Sequence, residues 1–316
     1  MIIDAYGCGV WFPHPYARHG GTSMIVSVVV VGAGLIGASV GLAARAQGLS
    51  VTLLDEDPAA VAEAVARGAG RPAAPQEPTV DLAVLAVPPN AVPAVLRTAQ
   101  QHRLARVYTD VASVKASVVA GARAAGCDLT SFVPGHPMAG GERSGPTAAR
   151  ADLFAGRSWA ICPTQAPPAA VDLVCHLVRL CGATPVLRSP EEHDRAVAAV
   201  SHTPHLVAGA LAAALARLPA ADLCLAGPGL RDTTRIAAGD PHLWTQILAH
   251  NATEVAAVAT AVAEDLRRAA EALAANPPDL ATVNGLLGAG QAGRAALEVA
   301  AEHGSRRGSR GLPARR

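Results

Sequence analysis

The stretch IVSVVVVGAGLIG, residues 25–37, determines how the first half of the chain folds. Its first seven residues are almost all β-branched, which is typical of a strand buried on both faces of a parallel sheet. Glycines follow at positions 32, 34 and 37, where they close the strand and open a helix. Strand and helix continue to alternate to about residue 188, which predicts a doubly wound, Rossmann-like α/β domain with a parallel sheet.

The same periodicity predicts the other elements of this domain. After a first helix that ends near Gln47, we expect strands at 51–55, 81–87, 106–111, just before Gly135, at 158–162 and at 184–188, and helices at 58–67, from about Asn90, at 113–125 and at 168–181.

The pattern changes at Ser189, which opens a capping box, Ser189-Pro190-Glu191-Glu192, with proline at the first helical position. The chain beyond it is almost wholly helical to about residue 302. Asp240 and Asp279 are predicted to start two further helices in the same way. We therefore expect four regions: an N-terminal extension (1–23), the α/β domain (24–188), an all-helical domain (189–302) and a basic, disordered tail (303–316).

Composition narrows the classes of function. The chain has 316 residues, is 51% hydrophobic and carries a formal net charge of +1. It can therefore bury two cores, and its charge gives no reason to expect nucleic acid or an anionic membrane as partner. The six cysteines form no C-x-x-C pair, and we see neither a signal sequence nor an unbroken transmembrane run. We expect a cytoplasmic protein with reduced thiols.

The glycine turn and one carboxylate predict a dinucleotide site. The glycines permit a tight turn, close approach of the backbone to a pyrophosphate, and packing of the helix on the strand. Asp55 ends the second strand, 23 residues after Gly32. A carboxylate there accepts hydrogen bonds from ribose hydroxyls and repels a ribose phosphate, so we expect NAD rather than NADP. The neighbouring Glu56 and Asp57 leave open which acid acts, and the alternative is an ordinary βα turn followed by a surface aspartate. The expected cofactor-binding residues are Gly32, Gly34, Leu35, Ile36, Gly37, Asp55, Val87 and Pro88.

Over residues 25–285 the chain resembles the prephenate and arogenate dehydrogenases of tyrosine biosynthesis. Five segments carry the resemblance in order: VVVVGAGLIGASVGLA (28–43), DVASVK (110–115), PGHPMAGGERSG (134–145), AVSHTPHLVA (199–208) and GLRDTTRIAAGDPHLW (229–244). The resemblance implies a homodimer with its active site between the two domains. It also implies NAD-dependent oxidative decarboxylation of prephenate to hydroxyphenylpyruvate.

The resemblance implies a role for each of several polar residues. His136 accepts the proton of the ring hydroxyl, Ser113 hydrogen-bonds to His136 and orients it, and Arg235 binds a substrate carboxylate. His202 and His205 lie near the substrate. The chemistry of these residue types agrees, because histidine is a base near neutral pH and guanidinium binds carboxylates through two hydrogen bonds.

Each of these residues also has a purely structural interpretation. His136 could be a turn histidine at a strand end, and Ser113 could be the N-cap of helix 113–125. His202 and His205, three apart, could line an interdomain crevice. Without a clear third ligand they are not expected to bind a metal. Pro204 between them either kinks a helix or starts a new one behind Thr203.

Two arginines and the segment at the expected entrance to the substrate site do not determine which substrate is bound. Arg231 lies four residues before Arg235, and would share its side of a helix. Gly141 stands where the resemblance leads us to expect a larger polar residue, next to Glu142. We assign all of these to substrate binding, and keep arogenate or an aminated prephenate as alternatives to prephenate. A different class, a sensor that binds NAD without turnover, also fits the fold.

Two further features carry expectations. Lys115 is the only lysine of the chain, and it serves either an anionic ligand or a local carboxylate. The chain ends too soon after the helical domain for a C-terminal ligand-sensing domain, so we expect little allosteric inhibition by tyrosine.

Overall fold

The computed structural model describes residues 25–74, 78–141 and 143–308. The predicted extension 1–23, the substrate-site residue Glu142 and residues 309–316 of the predicted tail lie outside the described residues.

A five-stranded parallel sheet forms the centre of the first domain. Its strands are β1 (Ser27–Val31), β2 (Ser50–Leu54), β3 (Arg71–Pro72), β4 (Val80–Leu85) and β5 (Ala105–Asp110). The spatial order is β3-β2-β1-β4-β5, which confirms the Rossmann-like fold. The two-residue strand β3 was not predicted, because so short a segment has no periodicity.

Helices cover both faces of this sheet. They are α1 (Leu35–Ala46), α2 (Pro58–Ala66), α3 (Val92–Gln101), α4 (Ala116–Ala124) and α5 (Pro168–Leu180). The central strand β1 alternates between two apolar clusters: Val28 and Val30 pack with α1 and α5, whereas Val29 packs with α3 and α4. Both faces of β1 are therefore buried, as its run of β-branched residues predicts.

A separate three-stranded sheet completes the domain, with strands β6 (Gly135–Pro137), β7 (Ser158–Ile161) and β8 (Thr184–Leu187). The strands lie close to the predicted positions, but β6 is antiparallel to β7, so they do not extend the parallel sheet. The segment before β6 runs beside β5, and its pairing with β5 ends at Pro134. Val133 still donates to Tyr108 O (2.8 Å), Pro134 has no N–H, and the N–H of Gly135 donates to the side chain of Asp110.

The second domain is helical, as predicted. It contains α6 (Pro190–Val197), α7 (Thr203–Leu215), α8 (Ala220–Leu223), α9 (Pro228–Thr234), α10 (Pro241–His250), α11 (Ala252–Ala274) and α12 (Leu280–Gly308). The capping box is confirmed, because Ser189 Oγ accepts from Glu192 N (3.1 Å) and Glu192 Oε2 accepts from Ser189 N (2.9 Å). Asp240 and Asp279 likewise accept N–H bonds at the starts of α10 and α12.

Two helix boundaries differ from the prediction. Helix α4 begins at Ala116 rather than Ser113, and Ser113 is not its N-cap. Helix α12 continues to Gly308, so the first residues of the predicted disordered tail are helical. The alanine-rich run before residue 302 lets this helix propagate cooperatively, since each added residue contributes one hydrogen bond.

The structure contradicts one of the two predicted arrangements around Pro204, the new helix capped by Thr203. A π-helical turn, Ala198–His202, joins α6 directly to α7. Thr203 does not cap a new helix, because its hydroxyl has no hydrogen-bond partner among the described residues. The combined helix Pro190–Leu215 is long and apolar enough to cross a membrane by composition alone, but its first turns carry four charged residues. We therefore treat it as a helix of the second domain.

We predict that Gly32→Ala destabilises the fold by about 2 kcal/mol or more. Gly32 has φ +102°, and a Cβ there would lie 2.2 Å from the carbonyl oxygen of Ala86. Gly48 is the matched control, because its φ is +84° but its Cβ would meet nothing within 4 Å. Urea denaturation should therefore show a clearly larger loss for Gly32→Ala than for Gly48→Ala. Equal losses would contradict the steric argument.

Candidate active site

The three glycines of the first turn serve different purposes. A Cβ on Gly32 would meet Ala86 O, and one on Gly37 would lie 1.9 Å from Gly32 O, so both are required for packing. A Cβ on Gly34 would meet nothing within 4 Å, although Gly34 is the N-cap of α1 and no side chain caps this helix. The start of α1 therefore faces open space, where its N–H groups and dipole attract an anion.

Of the three neighbouring acids, Asp55 is the one that contacts this turn. Its Oδ2 accepts from Ala33 N (2.5 Å) and its Oδ1 from Asp57 N (2.9 Å). Asp57 instead caps α2 by accepting from Ala59 N, and Glu56 is exposed. The half-buried Val87 and the exposed Pro88 follow β4, the strand beside β1, at the same sheet edge. These positions fit a dinucleotide across the carboxyl ends of the strands.

A buried ion pair holds the strand that carries His136. Lys115 Nζ donates to Asp110 Oδ2 and to Gly135 O (2.7 Å), while Gly135 N donates to Asp110 Oδ1 (3.1 Å). The side chains of Lys115 and Asp110 are fully buried. Gly135 is thus bound through both of its backbone polar groups. Of the two predicted partners for Lys115, an anionic ligand or a local carboxylate, the structure shows the carboxylate.

His136 lies at the start of a chain of buried polar side chains. Its Nδ1 lies 2.9 Å from His193 Nε2, and His193 Nδ1 lies 2.7 Å from Asp194 Oδ1. His136 belongs to β6 in the α/β domain, and the other two belong to α6 in the helical domain. With Nδ1 engaged, Nε2 is the ring nitrogen left for a substrate.

Burial keeps this histidine uncharged at neutral pH. It is the main cause that holds the pKa of His136 well below its ordinary value, and the nearby His193, Lys115 and His202 lower the pKa further. A neutral imidazole at pH 7 can accept a proton. His136 is therefore able to act as a base at neutral pH.

Asp194 connects the two domains at the start of α4. Its Oδ1 accepts from Lys115 N (2.8 Å) and its Oδ2 from Ala116 N (2.9 Å). These are N–H groups that a helix start leaves without an internal partner, and here a residue far along the chain satisfies them. This explains why α4 begins after Ser113. Among the described residues no hydrogen bond joins Ser113 to His136, whose Nδ1 is bonded to His193 instead.

His202 is fully buried beside the same network. Its Nδ1 lies 3.2 Å from Asn251 Nδ2, which also donates to Asp194 O (2.8 Å). Burial is the main cause that lowers the pKa of His202 to about 4. Asp194 and a backbone hydrogen bond with Ser113 act in the opposite direction and raise the pKa. His202 therefore contacts both Asn251 and the segment between β5 and α4.

The remaining predicted substrate residues lie on the helical domain. His205 is partly exposed and stacks on Trp244, with ring centroids 3.5 Å apart. Gly239 permits this stacking, because a Cβ there would lie 2.8 Å from Trp244 Nε1. Arg231 on α9 and Arg235 on the 3₁₀ turn that follows are exposed, in a segment that packs on α7.

Gly141 lies on the other domain. A Cβ there would approach Leu35 Cδ2 at 3.5 Å, an ordinary contact, so a larger residue would fit beside the glycine turn. No group of three or more metal-ligating side chains occurs in the described part of the chain.

Sequence reasoning missed several residues of this site. His193 and Asp194 lie within the first turns of α6, directly after the capping box, Trp244 lies within α10, and Asn251 is the single residue between α10 and α11. The signal that could have identified the pair was two polar residues on the buried side of an amphipathic helix.

The chain matches two family descriptions. "Prephenate dehydrogenase, nucleotide-binding domain" matches residues 40–187, and "Prephenate dehydrogenase, dimerization domain" matches residues 189–283. The two matches meet at the capping box.

Individual proteins agree with these matches. "Probable prephenate dehydrogenase NovF" from Streptomyces niveus is 42% identical over 249 residues, which are 78% of this chain and 68% of that protein. The structure of prephenate dehydrogenase from A. aeolicus in complex with hydroxyphenyl propionate and NAD+ is 25% identical with a TM-score of 0.76, and covers 88% of this chain and 100% of that one. Synechocystis arogenate dehydrogenase is 26% identical with a TM-score of 0.68, over 84% of this chain and 99% of that one.

We predict that Lys115→Met lowers the free energy of unfolding by about 3–5 kcal/mol, because it leaves the buried Asp110 without its cation. The control is Arg106→Met, on the strand β5 that also carries Asp110. Arg106 lies 3.5 Å from Asp81 but is 69% exposed, so its loss should cost less than about 1 kcal/mol. Urea denaturation of both variants measures the difference, and a Lys115→Met protein as stable as the Arg106→Met protein would refute the prediction.

Proposed function

The chain belongs to the prephenate dehydrogenase family, whose members are NAD-dependent oxidoreductases, and on that premise we propose that it oxidises and decarboxylates prephenate with NAD. The observation that carries the proposal is the geometry of His136. The ring is buried and its Nδ1 is bonded to His193, which leaves Nε2 for the hydroxyl of a substrate. We propose the cytoplasm as its location.

The cofactor site follows from the glycine turn. The residues Gly32 to Gly37 would hold the pyrophosphate at the start of α1, and Asp55 would bind the ribose hydroxyls. Gly34 supports this assignment, because its open surroundings give packing no reason to require glycine there. When bound, NAD accepts the hydride from the ring carbon that carries the hydroxyl.

The chain's own residues handle the proton and the carboxylates. His136 takes the hydroxyl proton at Nε2 while the hydride leaves, so that a carbonyl forms and positive charge does not build up on the substrate. Loss of the ring carboxylate as carbon dioxide then returns the electron pair to the ring, which becomes aromatic. Arg235, with Arg231 nearby, supplies guanidinium for a substrate carboxylate, and His202 and His205 line the helical side.

The same geometry serves arogenate, and the resemblance to an arogenate dehydrogenase keeps that substrate as a test outcome. Gly141 and Glu142 are the positions we assign to this discrimination.

We also propose a homodimer through the helical domain. Residues 189–283 match a dimerization domain, and α7 and α11 expose leucines that would be buried between two copies: Leu206, Leu211, Leu266 and Leu273.

We predict that Gly34→Ala weakens NADH binding at least about tenfold and leaves the melting temperature nearly unchanged. The added methyl group would occupy the space that the pyrophosphate approaches, and it clashes with no protein atom. Gly285→Ala, on α12 in the other domain, also meets nothing within 4 Å and serves as control. Titration of NADH fluorescence measures both affinities. Unchanged affinity in Gly34→Ala would argue against this position of the cofactor.

The function itself is tested by following NADH absorbance with prephenate and arogenate, each with NAD and with NADP. We expect turnover of prephenate with NAD, and we expect His136→Asn to lower kcat by at least about 10³-fold with little change in NADH affinity. Turnover of arogenate alone would keep the chemistry and change the substrate. NADH binding without turnover of either substrate would overturn the proposal and favour the sensor.

A further inference from the structure

Three buried side chains form one hydrogen-bonded series across the domain boundary. Asp194, His193 and His136 are 4%, 2% and 7% exposed, and the contacts between them are 2.7 and 2.9 Å. The proposed base is thus the last member of a series that starts in the other domain. We propose that His193 and Asp194 are positioning residues that fix the tautomer of His136, so that Nε2 carries the lone pair that accepts the substrate proton. The role of His136 as a base rests on the proposed function, whereas its tautomer does not depend on that function.

Asp194 acts only as a hydrogen-bond acceptor. Its two oxygens accept from Lys115 N, Ala116 N and His193. Burial by itself raises the pKa of Asp194, but these hydrogen bonds outweigh burial and leave the pKa below its ordinary value. An ionised carboxylate has no proton to donate, so the proton between Asp194 and His193 lies on His193 Nδ1.

The proton on His193 Nδ1 in turn determines where His136 carries its proton. In the proposed arrangement this is the only proton on His193, so its Nε2 has a lone pair and accepts from His136. His136 must then carry its proton on Nδ1, and its Nε2 is left unprotonated. The carboxylate therefore determines, through two imidazoles, which nitrogen of His136 is basic.

The series also determines where the positive charge lies after His136 has accepted the substrate proton. When His136 accepts a proton at Nε2, its Nδ1 proton can move to His193 Nε2, and the positive charge then lies next to Asp194. The other groups around His136 make this useful, because Lys115 and His202 disfavour a charge on His136 itself. Asp110 is already paired with Lys115. Asp194 is thus the nearby anion able to stabilise the proton.

The tautomer can be observed directly by two-bond ¹H–¹⁵N NMR of protein labelled with ¹⁵N-histidine, with His136→Asn used to assign the resonances. We expect wild-type His136 to be protonated on Nδ1 and unprotonated on Nε2 at pH 7. In His193→Leu the acceptor is lost, and the Nε2–H tautomer should appear. His193→Gln should retain part of the native tautomer, because its side-chain oxygen can accept from Nδ1.

Kinetics give the second readout. We expect kcat of His193→Leu to fall about 10²–10⁴-fold, with KM and NADH affinity changed less than about threefold, because a wrong tautomer removes the base without removing a binding group. His193→Gln should recover at least about tenfold. Asp194→Asn should lower kcat and also the melting temperature, because Asp194 additionally caps α4.

Either of two results would overturn the inference: a wild-type His136 protonated on Nε2 alone, or a His193→Leu protein that keeps kcat within threefold. The spectra require no turnover. A wild-type protein with the expected tautomer that turns over neither prephenate nor arogenate would therefore refute the proposed function and support this inference.

Discussion

The arrangement of the two domains depends on the hydrogen bonds that the carboxylate of Asp194 accepts. It belongs to the first helix of the helical domain, yet it satisfies the N–H groups of Lys115 and Ala116 at the start of α4 in the other domain. Its own backbone carbonyl accepts from Asn251, at the start of α11. Hydrogen bonds to a charged group contribute about 1.5–3 kcal/mol each, and a buried carboxylate that lost them would be costly. Three helices therefore meet at one residue.

A second buried charge, the pair of Lys115 and Asp110, holds the strand that carries the proposed base. Lys115 takes part in both arrangements, because its backbone N–H binds Asp194 while its ammonium group binds Asp110 and Gly135. Such pairs add little net stability, but the loss of one partner is severe. Here the pair binds both backbone polar groups of Gly135, the residue before His136. The position of His136 is consequently determined from both domains, and burial there keeps its ring neutral.

Local rules explain most of the fold. The β-branched run at 28–31, the capping box at Ser189 and the Asp-initiated helices at 240 and 279 are each decided by a few neighbouring residues, and the structure has them where the sequence predicts them. Two of the failures share a cause, a side chain from a distant part of the sequence. Ser113 is not the N-cap of α4 because a carboxylate 78 residues beyond Ala116 caps that helix, and β6 leaves the parallel sheet because Gly135 bonds to the side chain of Asp110.

The residues of the candidate site likewise form two groups, those that local sequence predicts and those that only the folded chain brings together. The sequence by itself determined the glycine turn, Asp55 and the position of His136 at a strand end, because these depend on spacing within one βα unit or one strand. Only the tertiary structure decided what surrounds His136: His193, Asp194 and His202 come from helices 57 to 66 residues further along the chain. The hydrophobic periodicity of the sequence does not indicate which buried polar residues of the two domains will contact each other. Their pairing follows from the requirement that each buried polar group find a partner, and that requirement is satisfied only in the folded molecule.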